Sequence, residues 1–259
     1  MINIHHKTLQ DLEFDTVLRQ TSEYCITNLG KVCVLAIKPL KTKEELLHEL
    51  ALVNEYISSF DNENRIPNHG FDDITESIKL LNIENTFLKL NEFRKITSMS
   101  ETVNTLLLFF KKFHDYYPTL NNEASNIHFT TEIIERINAI IDRFGEVKND
   151  ASDTLRTIRK SINALQGKIN SSFSSALTIY QSSGYLDEIK ESVIENRRVL
   201  AVKAMYRKKI KGSILGSSKT GSIVYIEPEA TTKYTRELLN LEYEENEEVI
   251  RILKEINKN

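Results

Sequence analysis

Apolar residues recur at steps of three and four along most of the chain, the period of helices with one buried face. Leu9, Leu12, Phe14, Val17 and Leu18 open one such run, predicted to end near Gly30 or to continue through it to Ile37, before Pro39 interrupts. Thr42, with Glu45 three residues on, carries the signature of a capping box, and Leu46, Leu47, Leu50, Val53, Ile57 and Phe60 follow at helical spacing. Asn62, Asn64, Pro67, Asn68 and Gly70 predict a loop over 61–70. Helices are predicted again over 72–81, over 91–117 with Pro118 as the stop, and over about 131–144 with Gly145 as the end. Residues 1–145 therefore read as a helical core.

From 151 to 183 the pattern is more regular. Leu155, Ile158, Ile162, Leu165, Ile169, Phe173, Ala176 and Tyr180 form a coiled-coil-like stripe, with no Pro and only Gly167 among them. Such a helix is about 50 Å long. Gly184 ends it and the period changes. Val193, Ile194, Val199, Leu200, Val202, Ile210, Ile214, Ile223, Val224 and Ile226 lie between turn signals at Asn196, Gly212, Gly216 and Gly221, which predicts three or four short antiparallel strands. Pro228 closes them, and a second long helix over 229–257 presents Leu238, Leu241, Val249, Leu253 and Ile256.

Two long helices flanking a compact insert should run antiparallel, because the insert starts and finishes at nearby points. Arg156, Arg159, Lys160 and Lys168 on the first helix suit Glu237, Glu242, Glu244, Glu245, Glu247, Glu248 and Glu255 on the second. An arm closing at 184 and 228 would bring Lys168 near Glu244 and Arg159 near Leu253. The expected fold class is mainly α: a helical core plus an antiparallel two-helix arm carrying a small antiparallel β module.

Composition narrows the choice. The 259 residues include only 8 Gly and 4 Pro, too few breakers for a many-stranded β protein. The net charge of −3 gives no global positive field toward nucleic acid. Cys25 and Cys33 are expected to be buried helix residues rather than a disulfide or metal pair. The start Met1-Ile2-Asn3-Ile4-His5-His6 does not resemble a signal peptide, and the longest apolar run, 106–110, is too short to span a bilayer. A cytoplasmic, soluble protein is expected.

The local anomaly lies in the β module. Arg197, Arg198, Lys203, Arg207, Lys208, Lys209, Lys211 and Lys219 follow one another with no acid until Glu227. With Tyr206 and Tyr225 and several glycines, these eight bases suit contact with phosphates through cations and backbone N–H groups. A solvated positive surface paired with acidic helices elsewhere would have the same composition. Alternation predicts one exposed basic face, with Val199, Leu200 or Val202, Ile214 and Ile223 or Val224 packed beneath. Other motifs carry less. Lys219-Thr220-Gly221 matches a β-lactamase element, but there is no S-x-x-K, and a hairpin turn explains it. There is no G-x-x-x-x-G-K-[ST] and no H-E-x-x-H. The Glu cluster over 244–248 reads as a solvated helix face. No catalytic, metal or cofactor-binding residue is assigned.

Several runs resemble the second bacterial family of MutS proteins, which lacks the mismatch-reading and connector domains of the repair-type MutS. They are FGEVKNDASDTLRTIR at 144–159, NRRVLAVKAMYRKKIKG at 196–212, TGSIVYIEP at 220–228 and ELLNLEYEE at 237–245, with Leu12-Glu13-Phe14, Gly30 and Pro39 near the start. The resemblance covers the whole chain, specifically at 144–159 and 196–245 and loosely at 40–140. It implies a helical core over 1–145, an outgoing lever helix over 146–183, a β clamp over 184–228 and a return lever over 229–259, with the chain ending at the lever and ahead of an ATPase domain. The family often has Pro where this chain has Ala201, and an acidic turn where it has Gly216-Ser-Ser-Lys-Thr-Gly221, so this loop is more basic.

The resemblance further implies that the full-length protein is a dimeric ATPase using ATP and Mg²⁺, in many members with an Smr endonuclease domain. It would grip duplex or branched DNA in repair or in suppressing recombination, or engage collided ribosomes. For this chain the expectation is no enzyme and no cofactor, but charge-based DNA contact led by Arg207, Lys208, Lys209 and Lys211. The alternatives are a ribosomal-RNA-binding module using the same patch and a purely structural arm meeting a protein partner.

Overall fold

Local capping decides where the first helices break. The computed structural model describes residues 4–61, 63–84 and 86–258, with only the backbone of Lys258; Asn62 of the predicted loop, and Met1, Ile2 and Asn3 of the start, lie outside them. The single run expected from Leu9 is three helices: α1 (His6–Asp11), α2 (Phe14–Glu23) and α3 (Asn28–Leu35). Glu13 breaks the first pair by taking a left-handed conformation, φ 50°. The Thr27 hydroxyl accepts the N–H of Gly30 at 3.0 Å and starts α3, so Gly30 opens a helix instead of ending one. In α4 (Lys43–Ser58) the Thr42–Glu45 capping box forms as its spacing predicts.

The next four helices are α5 (Thr75–Leu81), α6 (Leu90–Lys112), α7 (Pro118–Ala124) and α8 (Glu132–Ile140). Pro118 does more than stop a helix. It is the first residue of α7, where its missing N–H costs nothing. The Glu55 carboxylate of α4 accepts the next two N–H groups, of Thr119 and Leu120, at 2.8 and 2.9 Å. α8 ends earlier than predicted, at Ile140; the chain then doubles back through Gly145, φ +84°, so that Ile141 bridges Val147.

The chain divides into two compact units, Met1–Val147 with Leu253–Asn259, and Lys148–Ile252. In the first, Leu88, Phe93, Phe110, Tyr117, Ile137, Ile141 and Val147 are buried. Phe110 meets both Phe109 and Tyr117 edge to face, and the Tyr117 hydroxyl donates to the carbonyl of Asn64. The predicted stripe of α4 has the right period but faces outward: Leu47, Leu50, Val53, Ile57 and Phe60 are all more than half exposed. The cysteines also depart from expectation, since Cys33 is exposed and Cys25 half-buried. They lie in and beside α3, which buries no residue.

The second unit holds α9 (Asp153–Ser182), strands β1 (Leu186–Ile194), β2 (Arg197–Lys203), β3 (Gly212–Ser217) and β4 (Ile223–Pro228), and most of α10 (Glu229–Lys258). The fold is mainly α with one small antiparallel sheet, ordered β1-β2-β4-β3. The two long helices are antiparallel: Ser172 contacts Thr231, Arg159 contacts Glu245 and Ser152 contacts Glu248. The expected register is wrong by about two turns, because Arg159 faces Glu245 and not Leu253. The last turns of α9 explain the shift. Phe173, Leu177 and Tyr180 pack on the sheet core of Leu186, Leu200, Val202, Ile210, Val224 and Ile226, so the arm closes at 172 and 231.

The hairpin between β1 and β2 turns through Glu195 and Asn196, both with positive φ, the geometry of a type I′ turn. β2 lies inside the sheet, and its consecutive Val199, Leu200, Ala201 and Val202 are all buried. Both of its faces are covered, so the alternation expected of a half-buried sheet fails there. Ile214 fails in the opposite sense: it pairs with Ile226 from the edge strand β3 and is 60% exposed. Gly212 is no turn. A Cβ there would sit 2.1 Å from the carbonyl oxygen of Glu227, so only glycine lets β3 approach β4 so closely.

Candidate nucleic-acid interface

The eight bases of the β module have two different fates. Arg197 and Arg198 are partly buried at the start of β2. Arg197 Nη1 lies 3.5 Å from Oε2 of Glu227, a carboxylate only 1% exposed. Arg198 donates to Glu191 Oε2 at 2.6 Å and to Asn170 Oδ1 at 3.2 Å, and its guanidinium lies 4.3 Å from the centre of the Phe173 ring. These contacts tie β2 to β4, β1 and α9. Through these contacts the two arginines hold the module together.

Lys203, Arg207, Lys208, Lys209, Lys211 and Lys219 are exposed, and among the described residues none has an ion-pair partner within 4 Å. The sheet topology separates them, so a single basic face is not what forms. Lys203 pairs with Ile223, and the Ala204 N–H donates to the carbonyl of Ser222, which places Lys203 beside the β3–β4 turn that carries Lys219. β2 and β3 are not neighbours and run the same way, so the connection between them must cross the sheet. A 3₁₀ segment, Ala204–Lys209, makes the crossing. Tyr206 stacks on Tyr185 at 4.8 Å and Ile210 enters the core, while Arg207, Lys208 and Lys209 point outward.

Lys211 is carried to the other end of the sheet. Gly212 pairs with Pro228, and the Glu229 N–H donates to the Lys211 carbonyl at 3.0 Å. At about 3.4 Å per residue, the length of β4 separates this end from the Lys203–Lys219 end by about 17 Å. Lys211 instead shares a pocket with Lys233 and Arg236 of α10. Sequence reasoning missed these two because it treated the second long helix as acidic throughout. The available signal was a pair of bases three apart near the start of α10.

The acidic cluster is also more than a solvated face. Glu244 and Glu247 are exposed, but Glu245 is half-buried and Glu248 buried. Both Glu248 oxygens accept from Arg251 at 2.7 Å, and Oε1 also accepts from the Ser152 hydroxyl. The Arg251 guanidinium, then that hydroxyl, hold the Glu248 carboxyl down to about 2, well below the usual carboxylate range. Among the described residues no three His, Cys, Asp or Glu side chains gather as a metal site requires, and no helix is long and apolar enough to cross a membrane.

No family model matches the chain. Similar proteins are found. The chain is 25% identical over 264 residues to the protein named Endonuclease MutS2 of Halothermothrix orenii, covering 99% of this chain and 33% of that one. It is 27% identical over 254 residues to the Putative endonuclease MutS2 of Bacillus subtilis, covering 97% and 32%. It is 28% identical over 263 residues to the Endonuclease MutS2 of Caldanaerobacter subterraneus, covering 100% and 32%. The chain thus spans about a third of the length of the curated relatives it matches, and over nearly its whole length it is similar to MutS2 proteins.

Proposed function

We propose that this chain is the helical core, lever and clamp of a MutS2-type protein, and that its β module grips the phosphate backbone of duplex or branched DNA by charge and shape. The observation that carries the reading is the six exposed bases between Lys203 and Lys219, which have no ion-pair partner among the described residues. Unpaired surface cations cluster at a cost in mutual repulsion, and a polyanion relieves it through counter-ion release. The relatives are named for a nuclease that acts on nucleic acid. The residues present supply no P-loop for ATP, so binding rather than turnover is assigned to them.

Arg207, Lys208 and Lys209 are the leading contacts. Replacing all three with Ala should weaken binding to a 30-bp duplex equally for unrelated sequences. The slope of log K against log salt should flatten by about 0.9 per lost contact. An unchanged slope removes the crossover from the interface. Exposed Met205, 77%, and Ile214, 60%, favour a second reading in which the same module meets a protein. In that case affinity for the partner would hardly respond to salt. Competition between the duplex and ribosomal RNA in the same assay distinguishes the two nucleic acids.

A further inference from the structure

The pocket beside the start of α10 has a chemistry of its own. It encloses about 650 Å³ and is lined by Lys211, Ser213, Glu229, Thr232, Lys233 and Arg236, with the backbone of Gly212. Three cations therefore face one space with a single carboxylate. All four charged side chains are exposed, and none of them ion-pairs within 4 Å among the described residues. The Ser213 side chain has no hydrogen-bond partner among the described residues, whereas the Thr232 hydroxyl donates to the Pro228 carbonyl.

The walls are fixed by the fold. Gly212 is wedged against the Glu227 carbonyl, and the Glu229 N–H holds the Lys211 carbonyl at 3.0 Å. Lys211 is thereby pinned where β3 begins, opposite two bases on successive turns of α10. Among the described residues no ion pair uses these three cations, whereas Arg197 and Arg198 pair with Glu227 and Glu191. The uncompensated excess of positive charge favours an anion with at least two negative charges, or successive single ones along a chain.

We propose that this pocket is a phosphate-binding site in which Lys211, Lys233 and Arg236 supply the cations and Ser213 a hydroxyl donor. Two sources share that chemistry: the phosphodiester backbone of a nucleic acid and a free phosphate compound. The first rests on the function proposed above; the pocket itself does not. If the source is the backbone, the pocket is a second grip, at the opposite end of the sheet from Lys203 and Lys219.

The test is amide NMR on the whole chain, titrated at low salt with a 20-bp duplex and, separately, with pyrophosphate. It compares the unmodified protein with K233A/R236A and with R207A/K208A/K209A. The Ser213 and Thr232 amides should move with at least one ligand. That response should need at least tenfold more ligand in K233A/R236A, and the pyrophosphate response should persist in the crossover variant. A response to the duplex alone assigns the backbone as the source. A response to pyrophosphate alone, with no duplex binding, keeps the pocket and removes the nucleic-acid reading. Pocket amides that respond to neither ligand, or that respond identically in K233A/R236A, overturn the proposal.

Discussion

Arg159 Nε donates to Glu245 Oε1 at 2.7 Å, across the two long helices, and Arg159 Nη1 holds Asn149 Oδ1 at the same distance. Both partners of the interhelical pair are about three-quarters buried, so the contact is less screened than an exposed ion pair. It marks the register that the packing of α9 on the sheet sets. A double-mutant cycle on R159A and E245A should give a coupling of about 1 kcal/mol in urea unfolding. The same cycle on Lys168 and Glu244, both exposed, should give none. Coupling in the second pair and none in the first would restore the register expected from an arm closing at 184 and 228.

Glu248 makes the same seam sensitive to acid. Its folded carboxyl titrates at about 2, below the ordinary carboxylate value of 4.5. A depressed folded value means the unfolded chain takes up the proton first, so the contribution is full above pH 4.5 and lost as pH falls toward 2. Removing the carboxylate in E248A takes away its charge-assisted hydrogen bonds from Arg251 and Ser152 and should cost about 1.5–3 kcal/mol at neutral pH. Between pH 5 and 2.5 the unmodified protein should therefore lose more stability than E248A. Parallel pH profiles of the two melting temperatures would contradict this.

The periodic stretches of the sequence were legible and their partners were not. The stripe from Leu155 to Tyr180, the capping box at Thr42 and the turn at Asn196 all follow from local rules, and each forms. The register of the arm depends on how far α9 continues over the sheet, a tertiary fact invisible in either helix alone. Similarly, Arg197 and Lys203 read alike in sequence. Only the pairing of β2 with β4 places Glu227 beside the first and leaves the second in solvent. The α4 stripe shows the converse limit, since period predicts an apolar face without saying what covers it.

Phe173 joins the two parts of the second unit. It is fully buried, belongs to α9, packs with Leu200, Val202, Val224 and Ile226, and carries the Arg198 guanidinium on its ring. F173A should cost about 3–5 kcal/mol, through a cavity that a close-packed sheet core cannot collapse into. The chain has no Trp, so tyrosine fluorescence reports the loss, with the stacked Tyr185 and Tyr206 as part of the signal. A shift in the unfolding midpoint worth less than about 1 kcal/mol would mean that α9 is not what covers this face.

The division of the eight bases makes a prediction in two directions at once. Arg197 and Arg198 are tied to Glu227, Glu191, Asn170 and Phe173, so R197A/R198A leaves a buried carboxylate unpaired and strips one ring of its cation. Loss of such partners costs about 1–3 kcal/mol each. Arg207, Lys208 and Lys209 have no ion-pair partner among the described residues, and exposed substitutions of that kind change stability by less than about 0.5 kcal/mol. The first variant should therefore melt earlier and, below its melting temperature, keep the salt slope for duplex DNA. The second should melt normally and show a flatter slope. Measuring both quantities on both proteins separates folding from binding. If R197A/R198A flattens the slope as much as the triple variant does, the two arginines reach the phosphates as well, and their ties to Glu227 and Glu191 give way when DNA binds.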